Sequence, residues 1–170
     1  RSATADGLVS INGSVSTLKY TTTGEFSVSF WLKLDDQGIA DRTVYSAMNG
    51  TDHASRIFIK NQSIFWIFYN GSNQTCYFTQ YFGNVNLSYN SLEGWTHFAF
   101  AWNGKTDGDG EADFFINGVK YTDPTATSTM SPANIRRAVD SFHLFDLGNG
   151  SSGYELEGSL QEFITWNKRL

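Results

Sequence analysis

Cysteine is almost missing from this 170-residue chain. Cys76 stands alone, so neither an internal disulfide nor a cluster of thiolate metal ligands can form. That suits a bacterial, viral or cytosolic origin better than a disulfide-stapled animal ectodomain, and a chain this long can build a core without bridges. Proline is nearly as scarce: Pro124 and Pro132 both fall in the polar stretch Thr122–Pro132, which reads as a loop because proline bars regular pairing. No apolar run approaches the roughly 20 residues of a membrane-spanning helix; the longest is Ile64–Tyr69. Basic residues are outnumbered, 12 Lys and Arg against 17 Asp and Glu, and the net charge of −5 argues against a nucleic-acid partner, whose readers carry a basic patch. No signal peptide is visible, and Arg1-Ser2-Ala3 does not resemble a natural start. Residues 1–170 therefore read as one domain excised from a longer protein.

What the chain has instead is aromatic residues and turn formers. Side chains on a strand point to alternate faces, and Phe26–Leu34 alternates cleanly, with Phe26, Val28, Phe30, Leu32 and Leu34 on the inward face. In the Trp95–Tyr121 stretch, Phe98, Phe100 and Trp102 share one face while Trp95, His97, Ala99 and Ala101 share the other. Asn117-Gly118 then supplies the positive φ angles of a tight type I′ hairpin turn. Arg56–Lys60 and Ser63–Tyr69 flank Asn61-Gln62 and form a second hairpin, closed by Asn70-Gly71. Further strand signals cover Thr43–Ala47, Thr75–Phe82, Asn84–Asn90, Phe142–Leu147 and Leu156–Trp166; Ala133–Val139 is the one segment suited to a helical turn. Many short strands at this spacing predict an all-β sandwich or barrel.

Sequons begin at Asn12, Asn49, Asn61, Asn70, Asn73, Asn86 and Asn149. Asn-Gly-Ser/Thr is also good turn chemistry, and most of these sites fall where turns are expected. On either reading the surface is uncharged and rich in amides and hydroxyls, which points to an extracellular, cell-surface or virion-surface setting.

A family resemblance now adds to this reading. Phe26-Ser-Val-Ser-Phe-Trp-Leu-Lys33 resembles the "F-T-I-S-A-W-V-K" strand of laminin-G-like domains in the concanavalin A-like lectin/glucanase superfamily. Trp95-Thr-His-Phe-Ala99 is similar to that family's "W-x-H-V-A" strand, and Phe115-Ile-Asn-Gly118 to its "Y-V-D-G" turn. Gly158–Leu170 resembles its closing "G-K-I-D-E-V-R-I-Y-N-R-A-L" segment position by position. The resemblance, running in order from about Gly7 to Leu170, implies a jelly-roll β-sandwich of two curved antiparallel sheets whose terminal strands are neighbours. It makes His97 a core histidine. The superfamily spans lectins, carbohydrate-binding modules, adhesion domains, glucanases and lyases, so the site has to decide function.

Catalysis finds little support. Glycosidases need two carboxylates flanking the scissile bond, and the superfamily's glucanases carry them as E-x-D-x-x-E on one strand. Here Glu111-Ala-Asp113 is followed by apolar residues and lacks the final acid, while Glu155-Leu-Glu157 has no third acid or base at strand spacing. The Gln-x-His strand of the lyases is absent, and His53, His97 and His143 are scattered. For metal, Asp107, Asp109 and Glu111 interleave with glycines in a way that could wrap calcium, although a flexible polar connection explains the same residues. The resemblance separately implies a structural calcium near the termini, with Asp6 and Glu162 as its ligands, although Gln161 stands where the family has Asp.

Glycan recognition combines aromatic rings, which pack on the apolar faces of sugars, with amide and charged groups that fork onto hydroxyls. With Asn61-Gln62 as a two-residue turn, Ile59 pairs with Ile64 and Ile57 with Trp66. This places Ile57, Ile59, Ile64, Trp66 and Phe68 on one face and Arg56, Phe58, Lys60, Phe65, Ile67 and Tyr69 on the other. Tyr77, Tyr81, Asn73 and His53 from adjoining segments complete a groove. The expected site is therefore Arg56, Phe65, Tyr69, Asn73, Tyr77, Tyr81 and His53, on a non-catalytic carbohydrate-binding module facing a carbohydrate or glycoprotein surface within a multidomain protein or viral assembly. Two alternatives stand beside it: an adhesion domain that binds protein without reading sugar, its aromatics filling a thick core, and a diverged glycosidase or polysaccharide lyase.

Overall fold

The computed structural model describes residues 9–12, 25–35, 41–49, 52–70, 73–81, 94–104, 112–121, 125–128, 141–145, 156–166 and 168–170; for 9–12, 49, 52–53, 70, 73–81, 125–128 and 141 the description is of the backbone. Every regular element among them is a strand: β1 (Val9–Asn12), β2 (Phe26–Leu34), β3 (Arg42–Asn49), β4 (Asp52–Lys60), β5 (Ser63–Asn70), β6 (Asn73–Tyr81), β7 (Thr96–Trp102), β8 (Ala112–Ile116), β9 (Val119–Tyr121), β10 (Thr125–Ser128), β11 (Ser141–Leu144) and β12 (Gly158–Trp166). They form a seven-stranded sheet, β1-β11-β3-β4-β5-β6-β10, and a five-stranded sheet, β12-β2-β7-β8-β9, with antiparallel pairing throughout. This is the jelly-roll sandwich that the alternation and the resemblance imply.

The inward faces meet as the period-2 pattern requires. Phe26, Val28, Phe30 and Leu32 of β2 are fully buried, as are Ile57, Ile59, Ile64, Trp66 and Phe68 of the β4–β5 hairpin. Aromatic contacts lock one sheet to the other: Trp66 lies 5.8 Å from both Phe26 and Phe100, and Phe68 lies 4.4 Å from Trp102. Each large apolar side chain removed from water contributes on the order of 2 kcal/mol before chain entropy is counted, so this seam is the main support of the fold.

Both predicted hairpin turns adopt left-handed backbone angles, φ 48° and 60° at Asn61 and Gln62 and φ 50° and 78° at Asn117 and Gly118. Gln62 does so without the freedom of glycine, because the twist of the flanking strands selects a primed turn. In β12 the pairing with β2 shifts between Gln161 and Ile164, and Glu162 takes φ 50° at this bulge. Gly158, at the start of β12, has a strict role: an added Cβ would lie 2.2 Å from the Lys33 carbonyl oxygen.

Two expectations are corrected. The Thr122–Pro132 stretch is not wholly loop, since Thr125–Ser128 pairs with β6 as an edge strand; Pro124 removes an amide only at its own position, just before that strand starts. The terminal strands are not hydrogen-bonded neighbours either. β1 edges the larger sheet beside β11, whereas β12 edges the smaller one, and Phe163 of β12 packs 5.3 Å from Phe142 of β11 between the layers. The segments 84–90 and 133–139 lie outside the described residues.

Candidate functional site

The β4–β5 hairpin has the register its turn demands: Ile59 opposes Ile64, Phe58 opposes Phe65, Ile57 opposes Trp66 and Arg56 opposes Ile67. With one set of side chains committed to the core, the other set forms the second face of the larger sheet. Arg56, Phe58, Lys60, Phe65, Ile67 and Tyr69 line a groove of about 340 Å³ there, joined by Asp41 from the residue preceding β3. Phe58 and Ile67 are buried in its floor, whereas Phe65 and Tyr69 are half-exposed.

The groove is organised around a layered stack. The Phe58 and Phe65 rings lie 4.8 Å apart and only 6° from parallel. The Arg56 guanidinium sits 4.3 Å from the Phe58 centroid, and its Nε and Nη2 donate to Thr43 Oγ1 at 3.0 and 2.7 Å. Thr43 is the β3 partner of Phe58 and Phe65 its β5 partner, so the cation and the second ring approach Phe58 from opposite sides. Arg56 is 7% exposed as a residue, so its charge needs such partners, and the quadrupole of the ring together with a hydroxyl acceptor supplies them. Arg56 also hydrogen-bonds the Tyr69 hydroxyl. Burial pushes Tyr69 upward from the ordinary tyrosine pKa; the charge and hydrogen bond of Arg56 pull against this, Asp41 adds to the push, and the net shift is upward. At the rim, Lys60 Nζ lies 3.0 Å from Asp41 Oδ1.

Of the residues expected at a site, Arg56, Phe65 and Tyr69 are brought together in this groove. Register sets Tyr77 opposite Ile67, Tyr81 opposite Ser63 and Asn73 opposite Asn70 on β6, and His53 opposite Met48 on β4; the side chains of these four lie outside the described residues. Asp107, Asp109 and Glu111 lie outside them altogether, as do Asp6 and Glu155, and among the described residues no group of three metal-ligating side chains occurs. Asp41 and Thr43 were not predicted. Asp41 reaches the groove, and Thr43 the Arg56 side chain beneath it, because β3 folds back on β4 in a hairpin whose register is shifted at two bulges.

The remaining candidates have structural roles. His97 is not a core histidine: it lies half-buried on the outer face of the smaller sheet, its ring 5.0 Å from that of Trp31. Its backbone amide donates to Asn117 Oδ1 and its carbonyl accepts from the Asn117 amide, each at 2.9 Å, tying β7 to the hairpin turn. Asp113, the second acid of the glucanase-like pattern, is held at 2.9 Å by Arg169 and at 3.0 Å by Lys120. Burial alone would raise its pKa, but the hydrogen bonds and charges of those two cations outweigh it and hold the carboxyl below its ordinary range. An acid so held does not deliver protons near neutrality. Beside it, Ser27, Ser29, Ala99, Ala101, Phe115 and Trp166 line a second recess, of about 190 Å³.

Comparison with known proteins agrees with this architecture. The family profile described as the concanavalin A-like lectin/glucanases superfamily, in its laminin G branch, matches residues 4–170. No curated protein sequence matches the chain. Among solved structures, the receptor-binding domain of botulinum neurotoxin mosaic serotype C/D, with tetraethylene glycol bound on its Hcn sub-domain, is similar at TM-score 0.65 and 15% identity over 96% of this chain and 37% of that one. A structure of botulinum neurotoxin type C, a toxin dependent on interaction with two ganglioside molecules to get into cells, is similar at TM-score 0.67 and 11% identity over 96% and 37%. The binding domain of botulinum neurotoxin DC in complex with rat synaptotagmin II gives 0.66 and 11% over the same shares. At these identities the likeness is one of fold, and the chain spans little more than a third of the length of those proteins.

Proposed function

This chain belongs to the concanavalin A-like lectin/glucanases superfamily, and from that premise we propose that it is a non-catalytic carbohydrate-binding domain that docks a glycan in the Arg56–Tyr69 groove. The observation that carries the proposal is the company Phe65 keeps. A half-exposed ring, braced from behind by Phe58 and Arg56, stands in a groove about 340 Å³ in volume beside a tyrosine hydroxyl and charged groups. A sugar ring places its C–H face on such a platform, and its hydroxyls reach the polar rim. The stack is pre-assembled by intramolecular contacts, so little ordering cost remains for binding. Tyr77, Tyr81, Asn73 and His53 belong to the same proposal as flanking contacts. So does the setting: a single domain of a larger extracellular, cell-surface or virion-surface protein, facing a carbohydrate or glycoprotein. The ganglioside and synaptotagmin interactions of the similar toxins support a receptor-binding role for such a sandwich.

A protein-binding adhesion role is the second reading. Trp95 and Ile164, on the outer face of the smaller sheet, are 41% and 46% exposed, which a protein partner would cover. A glycan-array screen of the chain, with and without calcium, separates the two. Binding to at least one glycan class that is lost in Phe65→Ala supports the carbohydrate reading; no binding to any class defeats it. Persistence of binding without calcium would dispose of a calcium-dependent site.

A further inference from the structure

The groove holds one acceptor that the reading above leaves unused. Asp41 enters it from the strand beside the hairpin. Its Oδ1 lies 3.0 Å from the Lys60 ammonium, yet that oxygen is shut off from solvent and no donor is aligned with it in a hydrogen bond. The contact is thus an ion pair without a directed hydrogen bond. An ionised carboxylate offers about four acceptor directions, and among the described residues one cation serves it. The side chain keeps 19% exposure; with Oδ1 covered, that exposure lies on the remainder of the group.

The surrounding charges narrow the ligand. Arg56 and Lys60 both line the groove, so a cationic ligand such as a basic peptide meets like charge. A carboxylate- or sulfate-bearing ligand is drawn by those two cations but has to come against the Asp41 carboxylate, and Arg56 Nε and Nη2 are already turned to Thr43. A neutral group that donates hydrogen bonds meets neither conflict. Sugar hydroxyls are such donors, and a site built to accept them discriminates strongly against ligands that lack them.

Resting on the carbohydrate-binding reading, we propose that Asp41 is the specificity-determining residue of the groove, accepting hydrogen bonds from the hydroxyls of a neutral sugar, and that the site selects neutral over acidic glycans. Isothermal titration of the 170-residue chain with neutral oligosaccharides, and with their sialylated, uronate-containing and sulfated counterparts, provides the test. The expected result is a preference for the neutral set and a loss of at least about tenfold in affinity in Asp41→Asn. Val119→Ala, at a 55% exposed position on the smaller sheet, is expected to hold neutral-sugar affinity within about threefold. Tighter binding of acidic glycans, or unchanged affinity in Asp41→Asn, overturns the inference while leaving carbohydrate binding intact. Absence of binding to every glycan removes the underlying reading as well. Should Asp41→Asn melt far below the parent chain, the neutral-against-acidic comparison on the unmodified chain decides the matter.

Discussion

The two sheets share one core but present different outer faces, and the difference is one of chemistry more than of architecture. On the smaller sheet, alternate positions of β2 and β7 carry Ser27, Ser29, Ala99 and Ala101, so the recess they line with Phe115 and Trp166 is small and largely apolar. The acid beside it, Asp113, is spent on Arg169 and Lys120. On the larger sheet, the equivalent positions of β4 and β5 carry Arg56, Phe58, Phe65 and Ile67, and among the described residues Asp41 meets a single cation. Period-2 alternation produced both faces equally well. What separates a surface able to read a polar ligand from one that is not is whether its polar groups still have hydrogen-bonding capacity.

The largest expected effect abolishes the comparison. Trp66→Ala empties the seam on which both sheets rest and should cost about 3–5 kcal/mol, seen as a lower midpoint in urea denaturation together with loss of both surfaces. Gly158→Ala acts on one side. Its Cβ would press on the Lys33 backbone, costing about 1–3 kcal/mol, yet glycan affinity should survive wherever the variant is folded, because β12 lies in the other sheet. Truncating one ring on each face sharpens the contrast: Phe65→Ala should lower glycan affinity about tenfold, whereas Phe115→Ala should leave titration curves superimposable on the parent.

The smallest effects separate the faces by pH. Because the folded pKa of Asp113 is depressed, its contribution is present above the unfolded carboxyl value of about 4 and is lost as pH falls through the folded one. Tyr69 has the opposite sense. Its folded pKa is raised, so its contribution is full below about pH 10 and fades as pH climbs through the folded value. Denaturation midpoints across pH should therefore show an acid limb that Asp113→Asn lacks and an alkaline limb that Tyr69→Phe lacks. Swapped assignments would mean that the two environments have been misread.

What could be read from the residues was what local rules decide. Asn61-Gln62 fixed the hairpin register and with it both faces of β4 and β5, and Phe26–Leu34 announced its own buried side. Asp41 escaped the reading although β3 and β4 form a local hairpin, because two bulges shift the register that the turn alone would set. Two further features were illegible because they depend on distant chain. Thr125–Ser128 became a strand because β6 had a free edge to pair with. The bulge at Glu162 uses neither glycine nor asparagine at its left-handed position, so no residue type marks it. His97 was misplaced for a different reason: its backbone, not its ring, performs the anchoring, and family likeness does not distinguish the two.

That bulge bears on how the chain behaves in company. A nine-residue strand at the rim of a sheet is a template onto which a second molecule can add its own strand, the first step towards fibrils. In β12 the regular register runs only over Gly158–Gln161 and again over Ile164–Trp166, with Glu162 turned left-handed between them. A visiting strand therefore meets two short, offset ladders and an interposed carboxylate. At the opposite rim the template is three residues long and includes Lys120. Among the described residues both rims of the smaller sheet are thereby blunted against edge-to-edge pairing, so copies of the chain brought close together have little template on which to zipper.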